Sequence, residues 1–196
     1  ANGYRHLNGP FFARTDNGFG RSFPSVVGDE MIIELNVPAG VDDFGKLVVS
    51  TVYHDYVNIF GDNPISLLKS TTESCFVDVN GPNGKYWQTE KRAVCKIVSD
   101  GQLSTGTLVG NTSGTKEAYV LTANHTMFDS IHAAEAVFYF NDENGEASDV
   151  SPYKPQFVLG GELVATSAKK LDFSLIKLNE IPPSSFRPYY AGWDAR

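Results

Sequence analysis

Ala118-Tyr119-Val120-Leu121-Thr122-Ala123-Asn124-His125 and Leu171-Asp172-Phe173-Ser174-Leu175-Ile176-Lys177-Leu178 are the two stretches on which the reading of this chain turns. The first is an apolar strand that runs into Thr-Ala-Asn and presents a histidine as it ends. The second places one carboxylate at the head of a strand whose side chains alternate with period two. A histidine at a strand terminus titrates near neutrality and can carry a proton. A carboxylate opening a buried strand can accept from one ring nitrogen, fixing the tautomer so that the other nitrogen acts as base. Each residue also has a plain reading: His125 as a surface or satisfied core histidine, Asp172 as a turn residue. A third stretch, Ser104-Thr105-Gly106-Thr107-Leu108-Val109, is a small-residue strand able to pack tightly behind a loop. Together the three form an ordered set that chance rarely assembles.

Outward from these stretches the pattern is almost all period two. Strands are expected at 28–38, entered from Gly28-Asp29 and stopped by Pro38-Ala39-Gly40, and at 44–56, with Leu47, Val49, Thr51 and Tyr53 on one face. A short strand is expected at 76–79, and 93–98 with 105–109 reads as a hairpin joined across 99–103. Further strands are expected at 118–122, 134–140, 157–165 and 173–178. Helical signal is confined to a turn or two around 125–132. Short strands with turn signals every 8–12 residues or so indicate sandwiches or barrels. The polar stretch Lys69-Ser70-Thr71-Thr72-Glu73 is the expected boundary between two all-β units, 1–72 and 73–196. The fold class expected is all-β, an N-terminal β-sandwich-like region followed by a β-barrel.

Composition agrees with that class and excludes others. The chain has 196 residues, 41% apolar and 20% charged, with 18 Gly, 10 Pro and 12% aromatics, which suits a turn-rich β protein and not a disordered one. No apolar run approaches the 18 or so residues of a spanning helix, so no membrane span is expected. The net charge of −7 is spread, with 9 acidic and 5 basic side chains in 1–73 and 14 and 11 in 74–196. A nucleic-acid partner needs a clustered basic footprint, and none is present. Two cysteines outside any CxxC pair and four histidines at 6, 54, 125 and 132 supply no zinc ligand set, and no cofactor is expected. Cys75 and Cys95 could form a disulfide suited to an exported protein, or remain two buried thiols. No charged segment followed by an apolar one opens the chain, so the expectation is a secreted, periplasmic or extracellular protein whose signal has been removed.

The segments Ser104–Asn111, Tyr119–His125 and Leu171–Leu178 together resemble the first half of a chymotrypsin-like (trypsin-like) serine endopeptidase. In that fold the catalytic histidine follows a Leu-Thr-Ala-x-His strand, and the aspartate opens an Asp-hydrophobic-x-Leu-Leu/Ile-x-Leu strand. The nearer likeness is to the bacterial lysyl endopeptidases, through Ser74-Cys75, Leu108-Val109-Gly110-Asn111-Thr112 and Ala191-Gly192-Trp193-Asp194. It covers about residues 73–196. The resemblance implies His125 as general base and Asp172 as its orienting acid, a protein or peptide substrate, and cleavage after Lys or Arg. It also implies that residues 1–72 are an accessory or propeptide region.

Departures from the family pattern are equally specific. The nucleophile of such enzymes is a serine in a Gly-x-Ser-Gly loop of a second barrel, whose backbone forms the oxyanion hole. No such loop follows Asp172, and Ser113, the one Ser-Gly candidate, precedes the histidine in a polar turn. Thr126 stands where the family has a cysteine after the histidine. The expectation is therefore the N-terminal portion of an endopeptidase, inactive until completed by its serine-bearing C-terminal half, with that half as a second chain among its candidate partners. The rival is a non-catalytic protease-like binding or regulatory protein. Elsewhere, adjacent His54 and Asp55 would point to opposite faces of a strand and read as structural. The aromatic set Phe11, Phe12, Phe19, Phe23 and Tyr53 reads as core, with a sugar-binding face as the alternative. Asn111-Thr112-Ser113 and Asn124-His125-Thr126 are N-glycosylation sequons, and a glycan on Asn124 would crowd the histidine.

Overall fold

A computed structural model of the chain describes residues 20–26, 30–43, 46–54, 79–115, 117–142 and 156–194. It divides into two compact units, one made of Ala1–Pro24 with Ser74–Arg196 and the other of Ser25–Glu73. The larger unit is all-β. Its strands are β1 (Val94–Ser99), β2 (Gln102–Val109), β3 (Tyr119–Thr122), β4 (Val137–Phe140), β5 (Gln156–Leu159), β6 (Gly161–Ser167) and β7 (Phe173–Leu178). One α-helix, α1 (Ser130–Glu135), and three 3-10 turns at Pro82–Trp87, Glu90–Ala93 and Ser184–Phe186 complete its described elements. Among the described residues no helix is long and apolar enough to cross a membrane.

All pairings in the seven-stranded sheet are antiparallel, in the order β5-β4-β1-β2-β3-β7-β6. The two outer strands of that order, β5 and β6, are consecutive in sequence and separated by Gly160 alone. A flat sheet cannot join its opposite edges through one residue, so the sheet curls until they meet. The joint is secured on both sides. Gly160 N–H donates to Ala136 O at 2.7 Å, just before β4, and Gly160 O accepts from Asn179 N–H at 3.1 Å, just after β7. Gly160 has φ +64°, and a Cβ there would lie 2.5 Å from Ala134 O. Glycine is required by conformation and by space together.

The period-two pattern becomes the barrel interior. Cys95, Ile97, Leu108, Val120, Phe138, Phe140, Val158, Ile176 and Leu178 face inward and are buried with Met127. Register stacks them: Cys95 opposes Gly106, Leu108 opposes Val120, Val120 opposes Ile176, and Ile97 opposes Phe138. Gly106 carries no side chain because Val120, Ile97 and Cys95 fill its place. β4 is buried on both faces; its outward Tyr139 packs near Phe157 with ring centroids 6.3 Å apart. Cys95 is a free thiol, 1% exposed, among the described residues. Cys75 itself lies outside the described residues.

Several expected boundaries are corrected. The first hairpin turns through Asp100-Gly101 alone, both with positive φ, and its strands extend to Ser99 and from Gln102. Such a two-residue turn matches strand twist better than the five-residue connection expected at 99–103. The expected strand 134–140 begins only at Val137. Ala134 and Glu135 belong to α1, which starts at Ser130 because Asp129 caps it by accepting from His132 N–H. The helical turn expected at 125–132 is therefore displaced toward the C-terminus. The expected strand 157–165 is broken at Gly160 into β5 and β6, because the chain must bend there to pair with β4 on one side and β7 on the other.

In the unit Ser25–Glu73, residues 30–43 and 46–54 carry no strand, against the expectation for 28–38 and 44–56. Alternation makes a strand only where a ladder partner satisfies its backbone, and among the described residues none pairs with these. Ile32, Val48 and Val52 are exposed there. The expected strand 76–79 lies outside the described residues except for Val79, which is not in a strand.

Candidate functional site

His125 and Asp172 are 47 residues apart in sequence and meet at one end of the barrel. β3 and β7 pair with Thr122 opposite Ser174, so the turn leaving β3 lies beside the residue that opens β7. That turn, Ala123–Met127, is closed by Met127 N–H donating to Ala123 O at 3.2 Å and Asn124 O at 3.0 Å. The Met127 side chain is fully buried and plugs the turn into the core, leaving His125 outward.

The carboxylate grips the histidine twice. His125 Nδ1 lies 2.7 Å from Asp172 Oδ2, and His125 backbone N–H donates to Asp172 Oδ1 at 3.0 Å. With Nδ1 donating, Nε2 is left as the unprotonated nitrogen of the neutral ring. The His125 ring is 70% exposed and the Asp172 carboxyl 51%, so both are open to an approaching group. The His125 side chain, then its backbone N–H, holds the Asp172 carboxyl below the ordinary aspartate value. Asp172 has φ +44°, a left-handed conformation that aspartate tolerates better than most residues. It lets the chain turn out of the β6–β7 connection and aim the carboxylate back at the histidine.

A hydroxyl network surrounds the pair. Asn124 Nδ2 donates to Thr166 Oγ1 at 2.6 Å, Thr166 Oγ1 and Ser174 Oγ lie 2.8 Å apart, and Ser174 Oγ donates to Met127 O at 2.6 Å. Sequence reasoning gave Asn124 only its place in a sequon, and Thr166 and Ser174 no role. The signal for one of them was present: Ser174 shares the inward face of β7 with Ile176 and Leu178, and a lone inward hydroxyl in a barrel must find a partner. Thr166 carried no comparable mark.

The other candidates fall elsewhere. Ser113 Oγ is engaged within its own turn, by Asn111 Oδ1 and Thr115 Oγ1, each at 2.8 Å. Asn111 Nδ2 is bonded to Thr115 and Glu117, and Asn124 Nδ2 to Thr166, so both sequon amides are occupied. His54 is exposed, and Asp55 lies outside the described residues. A second His–Asp pair, His132 Nδ1 with Asp129 Oδ1 at 2.7 Å, belongs to the cap of α1, where the His132 ring packs on Phe128 with centroids 4.2 Å apart. The Asp129 carboxyl is also held low, first by the backbone N–H of His132.

Beyond β7 the chain returns across the far end of β2. Ala191 N–H donates to Leu108 O and Gly110 N–H to Ala191 O, each at 2.9 Å, and Trp193 Nε1 donates to Gly110 O at 2.8 Å. Thus two of the segments singled out in the sequence, 108–112 and 191–194, are bound to each other. Residues 70–196 match the family model described as "Lysyl endopeptidase, C-terminal domain". That span is more than half of the chain, contains every strand of the sheet with His125 and Asp172, and shows that the protein belongs to the lysyl endopeptidase C-terminal domain family.

Proposed function

We propose that this chain supplies the histidine and aspartate of a secreted, chymotrypsin-like serine endopeptidase that hydrolyses peptide bonds after Lys or Arg. The observation that carries the reading is the double contact of Asp172 with His125, through the ring nitrogen at 2.7 Å and the backbone N–H at 3.0 Å. In this reading the serine and the oxyanion donors come from polypeptide outside residues 1–196, the expected C-terminal half. Residues 1–72 are an accessory or propeptide region.

The roles follow from the geometry. Asp172, ionised and held by two donors, keeps Nδ1 protonated, so Nε2 accepts the proton of the incoming serine hydroxyl as that oxygen attacks the scissile carbonyl. The ring then carries a positive charge, which the adjacent carboxylate stabilises. Nε2 next delivers its proton to the leaving amine, and an attacking water repeats the cycle on the acyl-enzyme. The open face of His125 is where the serine-bearing half must dock.

The test is turnover by the longer protein containing this chain, on lysyl and arginyl peptide substrates. His125→Ala is expected to lower kcat on the order of 10⁴-fold or more. Unchanged turnover in that variant refutes the assignment, and a complete absence of turnover in the intact wild-type protein favours the binding-protein rival. The 196-residue chain alone is expected to be inactive; its covalent labelling by a fluorophosphonate would contradict this reading.

A further inference from the structure

The three hydroxyl-network residues form a hydrogen-bonded chain whose two ends are the two flanks of His125. Ser174 Oγ is fully buried and has one proton, which it gives to Met127 O at 2.6 Å. Its other polar neighbour is Thr166 Oγ1 at 2.8 Å, a hydroxyl that also faces Phe173 O at 3.1 Å and accepts from Asn124 Nδ2 at 2.6 Å. The contacts Asn124–Thr166–Ser174–Met127 leave the histidine turn at the residue before His125 and re-enter it two residues after. Thr166 and Ser174 are a register pair on β6 and β7, and Asp172 lies two residues before Ser174 on the same chain. The loop bearing the ring is thus tied on both sides to the strands that bracket the carboxylate.

Geometry gives this tie a job that the His125–Asp172 contact cannot do for itself. Both partners of that contact are largely exposed, and an exposed pair is weak because solvent screens it and side-chain entropy opposes it. A 2.7 Å contact between exposed groups persists only if the backbone on each side is fixed. We infer that Thr166 and Ser174 are positioning residues for the His125–Asp172 pair, holding the ring in the Nδ1–H tautomer through the backbone of the histidine turn. The inference rests on the proposed function only in calling that histidine the base.

The experiment reads the ring directly and needs no turnover, so it stands or fails separately from the protease reading. Long-range ¹⁵N–¹H correlation on the His125 ring of the 196-residue chain at pH 8 gives the ratio of Nδ1–H to Nε2–H tautomers. Ser174→Ala and Thr166→Val are each expected to lower that ratio roughly two- to tenfold, the range of one net hydrogen bond. Ser174→Thr, which restores a hydroxyl, is expected to keep it. Thr122→Val is the control: it removes another hydroxyl of the same sheet, bonded to Thr105 O at 2.9 Å on the rung opposite Ser174. An unchanged ratio in Ser174→Ala or Thr166→Val, or an equal fall in Thr122→Val, overturns the inference. If Ser174→Ala fails to fold, Thr166→Val decides alone, since Thr166 is exposed and its replacement leaves the core filled.

Discussion

Replacing Gly160 by alanine tests the closure of the barrel at its narrowest point. Two costs add. The residue has φ +64°, which charges a non-glycine residue roughly 1–2 kcal/mol. The new Cβ also lies 2.5 Å from Ala134 O and 2.6 Å from Asn179 Nδ2, and displacing backbone on this scale costs about 1–3 kcal/mol. The lower entropy of the unfolded alanine chain returns roughly 0.4–1 kcal/mol. The balance is a loss of about 3 kcal/mol, or a Tm lower by about 6–12 °C at this chain length. Gly114→Ala separates the two costs, because Gly114 has φ +68° with nothing within 4 Å of its added Cβ. It should lose only the conformational part, about 1 kcal/mol. Urea unfolding of both variants, followed by circular dichroism, gives the comparison. Equal losses at the two positions would refute the claim that the seam is sterically closed.

Further outcomes are expected from the same structure. The folded-state pKa of Asp172 is lowered, so its contribution to stability is complete above the ordinary aspartate value of 3.8 and is lost as pH falls through the depressed value. The urea midpoints of the wild type and Asp172→Asn should therefore differ at pH 6, with the gap shrinking as pH falls below 3.8 and closing only below the depressed value; a gap that does not shrink with falling pH contradicts the linkage. Burial pushes the Cys95 thiol up to about 12, so a disulfide-exchange reagent at pH 8 should modify it only at the rate of unfolding. Fast labelling of native Cys95 would show that the strand opens locally. Gly106→Ala places a Cβ 2.5 Å from Val120 Cγ1 and 2.8 Å from Ile97 Cδ1, an overpacking of about 1–3 kcal/mol. Val120→Ala vacates part of that space, so the double variant should be more stable than the sum of the two losses; strict additivity would place the clash elsewhere.

The sequence carried the parts of this fold that local alternation encodes. β3 and β7 lie almost where their apolar pattern puts them, because each is an inner strand with one face in the core. The meeting of His125 and Asp172 followed from those two stretches once a family likeness joined them. What was not legible depends on partners distant in sequence. Gly160 sits in a continuous apolar run, and only the pairing of its flanks with β4 and β7 makes it a corner. Residues 30–38 alternate as well as β7 does, yet no described strand pairs with them. Thr166 acquires its role from a register and a turn 42 residues away. The left-handed backbone of Asp172 has no composition signal, since aspartate in a turn is common whatever its φ.

The bent strand around Gly160 has one more consequence, for how the protein behaves in a crowded solution. An open antiparallel sheet offers two long edges of unpaired amides and carbonyls, each a template for another chain. Here the nominal edges are β5, four residues long, and β6, seven residues long. β6 is further interrupted by a register shift between Leu163 and Ala165, and α1 packs against it. Short length and a bulge are each known to blunt strand addition, and this unit carries both on its edge strands. The corner that closes the barrel thereby also guards it against self-association through its sheet.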